Sequence, residues 1–145
     1  MLTLTRKRLT AIEVQRLLCN FDTMFSPALS NYVDIENYSV KLAKHAHFIL
    51  CENEEEVVGY IAFYENRETK ADYIPSICVR DTYRMNGIAS LMMDFLSSQS
   101  PSEIEYVALE VRINNETAVC FYKKQGFVTK EERGDKILMI KQIIR

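Results

Sequence analysis

Residues 83–90, which read YRMNGIAS, combine residue types that suit the binding of an anion. An apolar helical pattern follows directly, and a helix N-terminus offers unpaired N–H groups with a partial charge of about +0.5. Gly87 leaves these N–H groups accessible, Ala89 keeps the next turn small, and Arg84 adds a full charge. The pattern R-x-x-G-x-A therefore predicts a phosphate-binding turn, although it lacks the Gly-Lys-Ser/Thr of a Walker loop. An ordinary strand-to-helix turn, in which glycine relieves backbone strain, is the alternative.

A second group of polar residues follows a predicted strand. Asn115, Ala118 and Tyr122 have the spacing i, i+3 and i+7, which places them on one face of a short helix. Such a face suits close contact with a polar ligand. The alternatives are that Asn115 caps the helix and that Tyr122 is a half-buried core aromatic. Glu110 is the one carboxylate in the middle of the strand, where an ion pair with Arg112 is the alternative role.

The cysteines and histidines do not have the spacing of a metal site. There is no CxxC pair, and neither histidine has a cysteine nearby, so we expect no bound metal. Reduced, buried cysteines are typical of a cytoplasmic protein. The residues concerned are Cys19, Cys51, Cys78, Cys120, His45 and His47.

Length and charge restrict the function classes. A chain of 145 residues predicts a single domain, residues 1–145. A net charge of −2 argues against nucleic acid as a partner, because binding to phosphates needs a basic face. No apolar run approaches the roughly 20 residues that span a bilayer, and the first residues lack the apolar segment of a secretory signal. We therefore expect a cytoplasmic protein without a membrane partner.

Local signals predict helices in the first third of the chain. Thr10 and Glu13 form a capping box, which predicts a helix that runs to about Asn20. Residues 21–33 are typical of a loop, and a second helix is predicted after Asp34.

The pattern then changes to that of strands. Residues 47–51 and 57–64 predict a hairpin around the polar turn 52–56. Its second strand is apolar on both faces, as in a central strand, and another strand is predicted over 73–79.

The second half alternates helices and strands. An apolar helical stripe consists of Ile88, Leu91, Met92, Phe95 and Leu96. A strand over 105–113, a helix over 115–125 that stops at Gly126, and two strands around Gly134 complete the chain. In the strand over 105–113, the apolar side is predicted to carry Val107, Leu109, Val111 and Ile113. The whole order predicts an α/β (α+β) fold, a mixed sheet with helices on both faces.

Two stretches together resemble the GNAT family of N-acetyltransferases. SICVRDTYRMNGIASLMMDFL, residues 76–96, is similar to the family's acetyl-CoA motif, a strand followed by Q/R-x-x-G-x-G/A and a helix. LEVRINNETAVCFYKKQGF, residues 109–127, is similar to its second motif. One departure is that Met85-Asn86 replaces the usual basic residues after Arg84. The resemblance implies the GNAT fold, with a mixed, mostly antiparallel sheet of about six or seven strands, and acetyl-CoA as cosubstrate.

The resemblance also implies how acetyl-CoA would bind. Its pantetheine arm would pair with Ile77, Cys78 and Val79 like a missing strand. Its pyrophosphate would bind the N–H groups of residues 85–90, and Asn115 would contact the pantetheine region. The implied cofactor-binding residues are Ile77, Cys78, Val79, Arg84, Met85, Asn86, Gly87, Ile88, Ala89, Ser90, Asn115, Ala118 and Tyr122.

The implied reaction is direct attack of an amine on the thioester. An alkyl amine with a pKa of about 10 is deprotonated only about once in a thousand at neutral pH, so a base is needed. Glu110 is the candidate, because its spacing to Asn115 and Tyr122 matches that of ribosomal-protein N-terminal acetyltransferases. The N–H of Val79 would stabilise the oxyanion, and Tyr122 would protonate the leaving thiolate. No covalent intermediate is needed, so both Cys78 and Cys120 are expected to be packing residues.

The amine acceptor is left open. The family uses loops that correspond to residues 25–30 and to the turn near Gly134. Faint similarity to polysaccharide-pathway enzymes favours an amino sugar or other small amine, while the spacing of Glu110 suits a peptide α-amine. A catalytically silent CoA-binding domain is the third alternative. A homodimer is compatible with the sequence. Further candidates to line the acceptor pocket are His45, His47, Tyr64 and Glu65, although a solvated or capping role is expected for each.

Overall fold

The computed structural model describes residues 1–145 as a seven-stranded mixed sheet with four α-helices. The strands are β1 (Leu2–Lys7), β2 (His47–Asn53), β3 (Glu56–Asn66), β4 (Ala71–Val79), β5 (Tyr106–Arg112), β6 (Val128–Arg133) and β7 (Lys136–Gln142). The helices are α1 (Ala11–Phe21), α2 (Ile35–His45), α3 (Ile88–Gln99) and α4 (Glu116–Lys124). The strand order is β1-β2-β3-β4-β5-β7-β6. The pairs β1–β2, β2–β3, β5–β7 and β6–β7 are antiparallel, and β4–β5 is parallel. The predicted mixed, mostly antiparallel sheet is confirmed.

Two compact units divide the chain. The first consists of Met1–Phe63 and Ser76–Gln99, and the second of Tyr64–Pro75 and Ser100–Arg145. The single domain inferred from length stays a prediction. None of the helices has the length and apolar character needed to cross a membrane. No group of three or more His, Cys, Asp or Glu side chains is arranged to hold a metal ion.

The predicted capping box starts α1. The Glu13 N–H donates to Thr10 Oγ1 at 3.2 Å, and the Thr10 N–H donates to Glu13 Oε1 at 2.9 Å. At the start of α2, Asp34 Oδ1 accepts from the Asn37 N–H at 3.2 Å. Both caps satisfy N–H groups that a helix leaves without partners, so both predicted helix starts are confirmed.

The first strand was not predicted. In β1 the alternating Leu2, Thr3, Leu4 and Thr5 form an antiparallel pair with β2. Alternation over so few residues is a weak signal, and the strand lies at the edge of the sheet, where it buries little apolar surface.

The predicted five-residue turn of the first hairpin is wrong. Strands β2 and β3 extend to Asn53 and Glu56, so only Glu54 and Glu55 remain in the turn. Both residues have positive φ, 52° and 74°. A two-residue turn of this kind matches the twist of the flanking strands, which explains why the strands extend further than the apolar residues do.

Three predicted burial patterns need correction. Helix α3 buries Ile88, Met92, Met93 and Leu96, whereas Leu91 of the predicted stripe is 39% exposed. On β5, the predicted apolar side ends early, because Ile113 is 46% exposed. All four cysteines are free, but the expected burial holds for Cys51 and Cys78 alone. Cys19 and Cys120 are exposed.

Candidate functional site

The loop before α3 has an unusual backbone conformation. Met85 and Gly87 both have positive φ, 68° and 75°. The Asn86 side chain holds this turn, because its Nδ2 donates to the carbonyl oxygens of Tyr83 and Arg84, each at 3.1 Å. A Cβ on Gly87 would meet nothing within 4 Å, so the glycine is required by its backbone conformation and not by packing.

The start of α3 is accessible to an anion. The Leu91 N–H donates to the Gly87 carbonyl at 3.0 Å, and Ile88 and Ala89 precede it in the first turn, where a helix offers N–H groups to a ligand. Residues 84–87 are exposed, while Ile88 is buried and anchors the helix. Backbone N–H groups, the positive end of the helix dipole and open space together form the arrangement that binds phosphate.

The Arg84 side chain is bound to main-chain carbonyl groups. Its Nε donates to the Val79 oxygen at 3.2 Å, and its Nη2 donates to the Met24 oxygen at 2.6 Å. The guanidinium therefore joins the end of β4 to the short turn that follows α1. Its charge still lies in the loop before α3, where the sequence places it, and contact with a phosphate stays a prediction.

A second arginine supports the same loop and was not predicted. The Arg80 N–H donates to the Val58 oxygen at 2.8 Å, and its Nη2 donates to the Val57 oxygen at 3.1 Å. Its guanidinium also pairs with Glu56 at 3.1 Å and lies 4.8 Å from the centre of the Phe21 ring. These contacts fix the loop to β3 and to the end of α1.

The last residues of β4 alternate between burial and partial exposure. The parallel pairing with β5 runs from Ala71 to Ile74, and Ile77, Cys78 and Val79 lie beyond it. Cys78 is buried, and Ile77 and Val79 are partly exposed. Burial raises the pKa of the Cys78 thiol to about 11, so the thiol is protonated at neutral pH and is a poor nucleophile. The packing role expected of Cys78 agrees with this.

A glycine inside β3 permits close packing of α3, and sequence reasoning missed it. A Cβ on Gly59 would lie 3.1 Å from Met92 Cε, 3.2 Å from Ile88 Cγ2 and 3.3 Å from the Cys78 oxygen. An isolated glycine in an apolar strand is the signal that could have revealed this contact.

Glu110, in the second unit, is paired with an arginine from β6. Arg133 Nη1 donates to Glu110 Oε2 at 3.0 Å, and Arg133 Nη2 donates to Glu131 Oε2 at 3.2 Å. The alternative pair of Glu110 with Arg112 is wrong, since Arg112 pairs with Asp135 at 3.1 Å. Residues two apart on a strand lie on the same face, but longer side chains reach across strands to better-placed partners.

Two tyrosines lie near the same carboxylate. The pKa of the Tyr73 hydroxyl is raised, first by burial and then by the charge of Glu110, to which it is hydrogen-bonded. The Tyr64 ring stacks on the Tyr73 ring, with 6.5 Å between centroids. The Tyr64 hydroxyl is buried and has no hydrogen-bond partner, and burial raises its pKa. Glu110 is thus bordered by polar groups from β3, β4 and β6.

Asn115 caps α4. Its Oδ1 accepts from the Ala118 N–H at 3.2 Å, so the capping alternative is confirmed. The cap uses the carboxamide oxygen alone, and Asn115 is exposed. The side-chain NH2 group can therefore serve a ligand while the cap is formed. The proposed contact with acetyl-CoA stays a prediction.

Tyr122 is held firmly at the end of α4. Its ring packs edge-on against Phe121 and Phe127, with centroid distances of 5.4 and 5.5 Å. Gly126 has a φ of 99°, and the Phe127 N–H donates to the Tyr122 oxygen at 2.9 Å, as in a Schellman motif. Burial raises the pKa of the Tyr122 hydroxyl to about 12. The residue is therefore a fixed, protonated phenol at neutral pH.

The residues expected near the acceptor make local contacts. Asp22 accepts hydrogen bonds from the N–H and the hydroxyl of Ser30, each at 2.7 Å, which closes the loop after α1. His47 stacks on Phe63 with 5.5 Å between ring centroids, and Glu65 pairs with Arg67 at 3.3 Å. His45 lies in the last turn of α2.

One relative is similar to part of this chain in sequence. A protein of Sulfurisphaera tokodaii named N-alpha-acetyltransferase is 35% identical over 95 residues. The match covers 57% of this chain and 56% of that protein, so the chain spans about half the length of this relative.

Solved structures match nearly the whole chain. Ard1 from Thermoplasma volcanium has a TM-score of 0.75 and 23% identity, covering 98% of this chain and 99% of that one. The PaiA N-acetyltransferase of Thermoplasma acidophilum, solved in complex with coenzyme A, has a TM-score of 0.73 and 14% identity, covering 97% and 99%. These likenesses show the fold. Residues 13–127 match the family described as acetyltransferase (GNAT), which includes the loop before α3 and all of α4. The chain therefore belongs to the GNAT family of acetyltransferases.

Proposed function

We propose that this protein transfers an acetyl group from acetyl-CoA to a primary amine by direct attack within a ternary complex. The start of α3 supports this assignment most strongly: an exposed loop with two residues of positive φ leads into first-turn N–H groups. Such a turn binds the pyrophosphate of a coenzyme. Membership of the GNAT family and the coenzyme A complex of a protein with the same fold also support it.

Glu110 is the proposed base. Its carboxylate is partly exposed, with 25% of the side chain accessible, and Arg133 and Tyr73 restrict its position. A carboxylate held in one place can accept a proton from an amine, directly or through one water molecule. Because the amine is mostly protonated at neutral pH, this step prepares the nucleophile.

Val79 and Tyr122 are assigned to the two later steps. The amine attacks the thioester carbon, and the N–H of Val79 stabilises the oxyanion, a contact of about 3 kcal/mol in comparable enzymes. The carbon–sulfur bond then breaks, and Tyr122 donates its proton to the thiolate of coenzyme A. The raised pKa of Tyr122, about 12, keeps the hydroxyl protonated until that step. The raised pKa of Cys78 argues against an acetyl-cysteine intermediate.

The proposed acceptor is the α-amine of a peptide. The relative that is 35% identical is named N-alpha-acetyltransferase, and this observation favours a peptide over an amino sugar. An amino sugar or other small amine is the second candidate, which rests on the faint sequence similarity to polysaccharide-pathway enzymes.

A panel of acceptors tests both the activity and its substrate. Short peptides with free N-termini, amino sugars and polyamines are incubated with acetyl-CoA, and release of the coenzyme A thiol is recorded. We expect turnover with peptides. A thermal shift with acetyl-CoA but no thiol release with any amine would instead indicate a silent coenzyme-binding domain. The variant Tyr122→Phe serves as the control, since it should keep the thermal shift and lose turnover.

A further inference from the structure

Gly59 lies at the closest approach of α3 to the sheet. It is buried in the interior of β3, is paired with Cys51 of β2, and is not among the glycines of positive φ. Conformational freedom therefore does not explain the glycine. Close packing explains it, because a glycine inside a strand marks a place where another part of the chain approaches the backbone.

The atoms around Gly59 belong to two elements of the proposed coenzyme site. A Cβ would lie 3.2 Å from Cγ2 of Ile88, the first residue of α3, and 3.3 Å from the carbonyl oxygen of Cys78 in β4. The third neighbour, Met92 Cε, lies 3.1 Å away and ends a flexible side chain that can move. Ile88 is β-branched and stiff, and the Cys78 carbonyl is backbone, so neither yields without a shift of its element.

We propose that Gly59 is a positioning residue, which sets the separation between the first turn of α3 and the end of β4. This inference rests on the proposed function, in which the first turn binds the pyrophosphate and β4 receives the pantetheine arm. Coenzyme A spans both elements, so it binds tightly only when their separation is correct. In enzymes, a misplacement of about 1 Å can lower the reaction rate about 100-fold, so we expect a small change in this separation to have a measurable effect.

The test compares two ligands on Gly59→Ala by calorimetry, at a temperature where circular dichroism shows the variant fully folded. Coenzyme A requires both elements, whereas ADP carries a pyrophosphate and no pantetheine arm. We expect the affinity for coenzyme A to fall about tenfold and the affinity for ADP to change less than about twofold. Val58→Ala is the matched control, because it perturbs the neighbouring buried position of the same strand, whose side chain lies on the opposite face of the sheet from position 59.

Other results overturn the proposal. Unchanged affinity for coenzyme A, or an equal loss for both ligands, would show that Gly59 does not set this separation. If Gly59→Ala does not fold, Gly59→Ala with Met92→Ala removes the contact with Met92 and keeps those with Ile88 and Cys78, and the same loss is expected. Wild-type protein that does not bind coenzyme A would refute the proposed function itself.

Discussion

Arg133 donates to Glu110 across 3.0 Å, although the two residues are 23 positions apart in the chain. The arginine comes from the end of β6 and is shared with Glu131, so one guanidinium orders two carboxylates. Exposed ion pairs contribute little to stability, typically about 0.2–1 kcal/mol. Glu110 is the less exposed partner, and fixing its carboxylate matters more for the proposed proton transfer than for folding.

Arg133→Ala tests this role of the pair. We expect turnover to fall about tenfold, because the carboxylate loses the contact that orients it, while affinity for acetyl-CoA stays the same. Arg112→Ala is the matched control: it removes an ion pair of similar length, to Asp135, at the same hairpin without contact to Glu110. Steady-state kinetics of both variants provide the measurement. Equal turnover in the two variants would exclude a special role for Arg133.

Gly87→Ala tests the loop before α3. The substituted residue must adopt a φ of 75°, which costs about 1–2 kcal/mol and disturbs the N–H groups of the turn. We expect affinity for acetyl-CoA to fall about tenfold in calorimetry. Gly134→Ala imposes the same kind of strain at a φ of 68°, and neither added Cβ meets an atom within 4 Å. Gly134→Ala should therefore bind acetyl-CoA like the wild type. A comparable loss of affinity in Gly134→Ala would show that the effect of Gly87→Ala is not specific to the loop before α3.

Two substitutions of Asn115 separate its cap from its proposed contact with acetyl-CoA. Asn115→Ala removes the acceptor for the Ala118 N–H, and we expect a loss of about 1 kcal/mol in the free energy of unfolding. Asn115→Ser replaces the carboxamide with a hydroxyl, which keeps an oxygen that can cap the helix and lacks the side-chain NH2 group. Urea denaturation should show near wild-type stability for the serine variant, whereas calorimetry should show weaker acetyl-CoA binding. Full affinity in Asn115→Ser would limit the residue to its structural role.

The pH profile of turnover tests Tyr122. Burial raises the pKa of its hydroxyl to about 12, so the hydroxyl stays almost fully protonated up to about pH 10. A peptide α-amine, with a pKa of about 8, is already almost fully deprotonated at about pH 10, which is two units below the pKa of Tyr122. We expect turnover to rise with pH and then stay level to about pH 10. A decline in turnover below about pH 10 would contradict this expectation, because it would mean that the phenol titrates earlier than its burial implies.

Features set by neighbouring residues could be predicted from the sequence. The capping box at Thr10, the cap at Asn115 and the stop at Gly126 each depend on contacts within a few positions. The same holds for the loop before α3, whose glycine and position before an apolar helix are visible in the sequence.

Features set by distant residues could not be predicted. Arg133 reaches Glu110 across β7, which lies between β5 and β6 in the strand order, and no local pattern encodes that order. Arg84 donates to the carbonyl of Met24, a main-chain acceptor 60 positions away that any residue type would supply. Gly59 was visible as a glycine within a strand, but its neighbours on α3 and β4 were not.

Binding of coenzyme A at the start of α3 is tested by titrating isotope-labelled protein with coenzyme A and following the backbone amide resonances. We expect the largest chemical-shift changes on the amides of residues 85–90, which form the loop and the first turn of α3. Saturable binding that leaves those amides unmoved, or that moves another part of the chain instead, would contradict it.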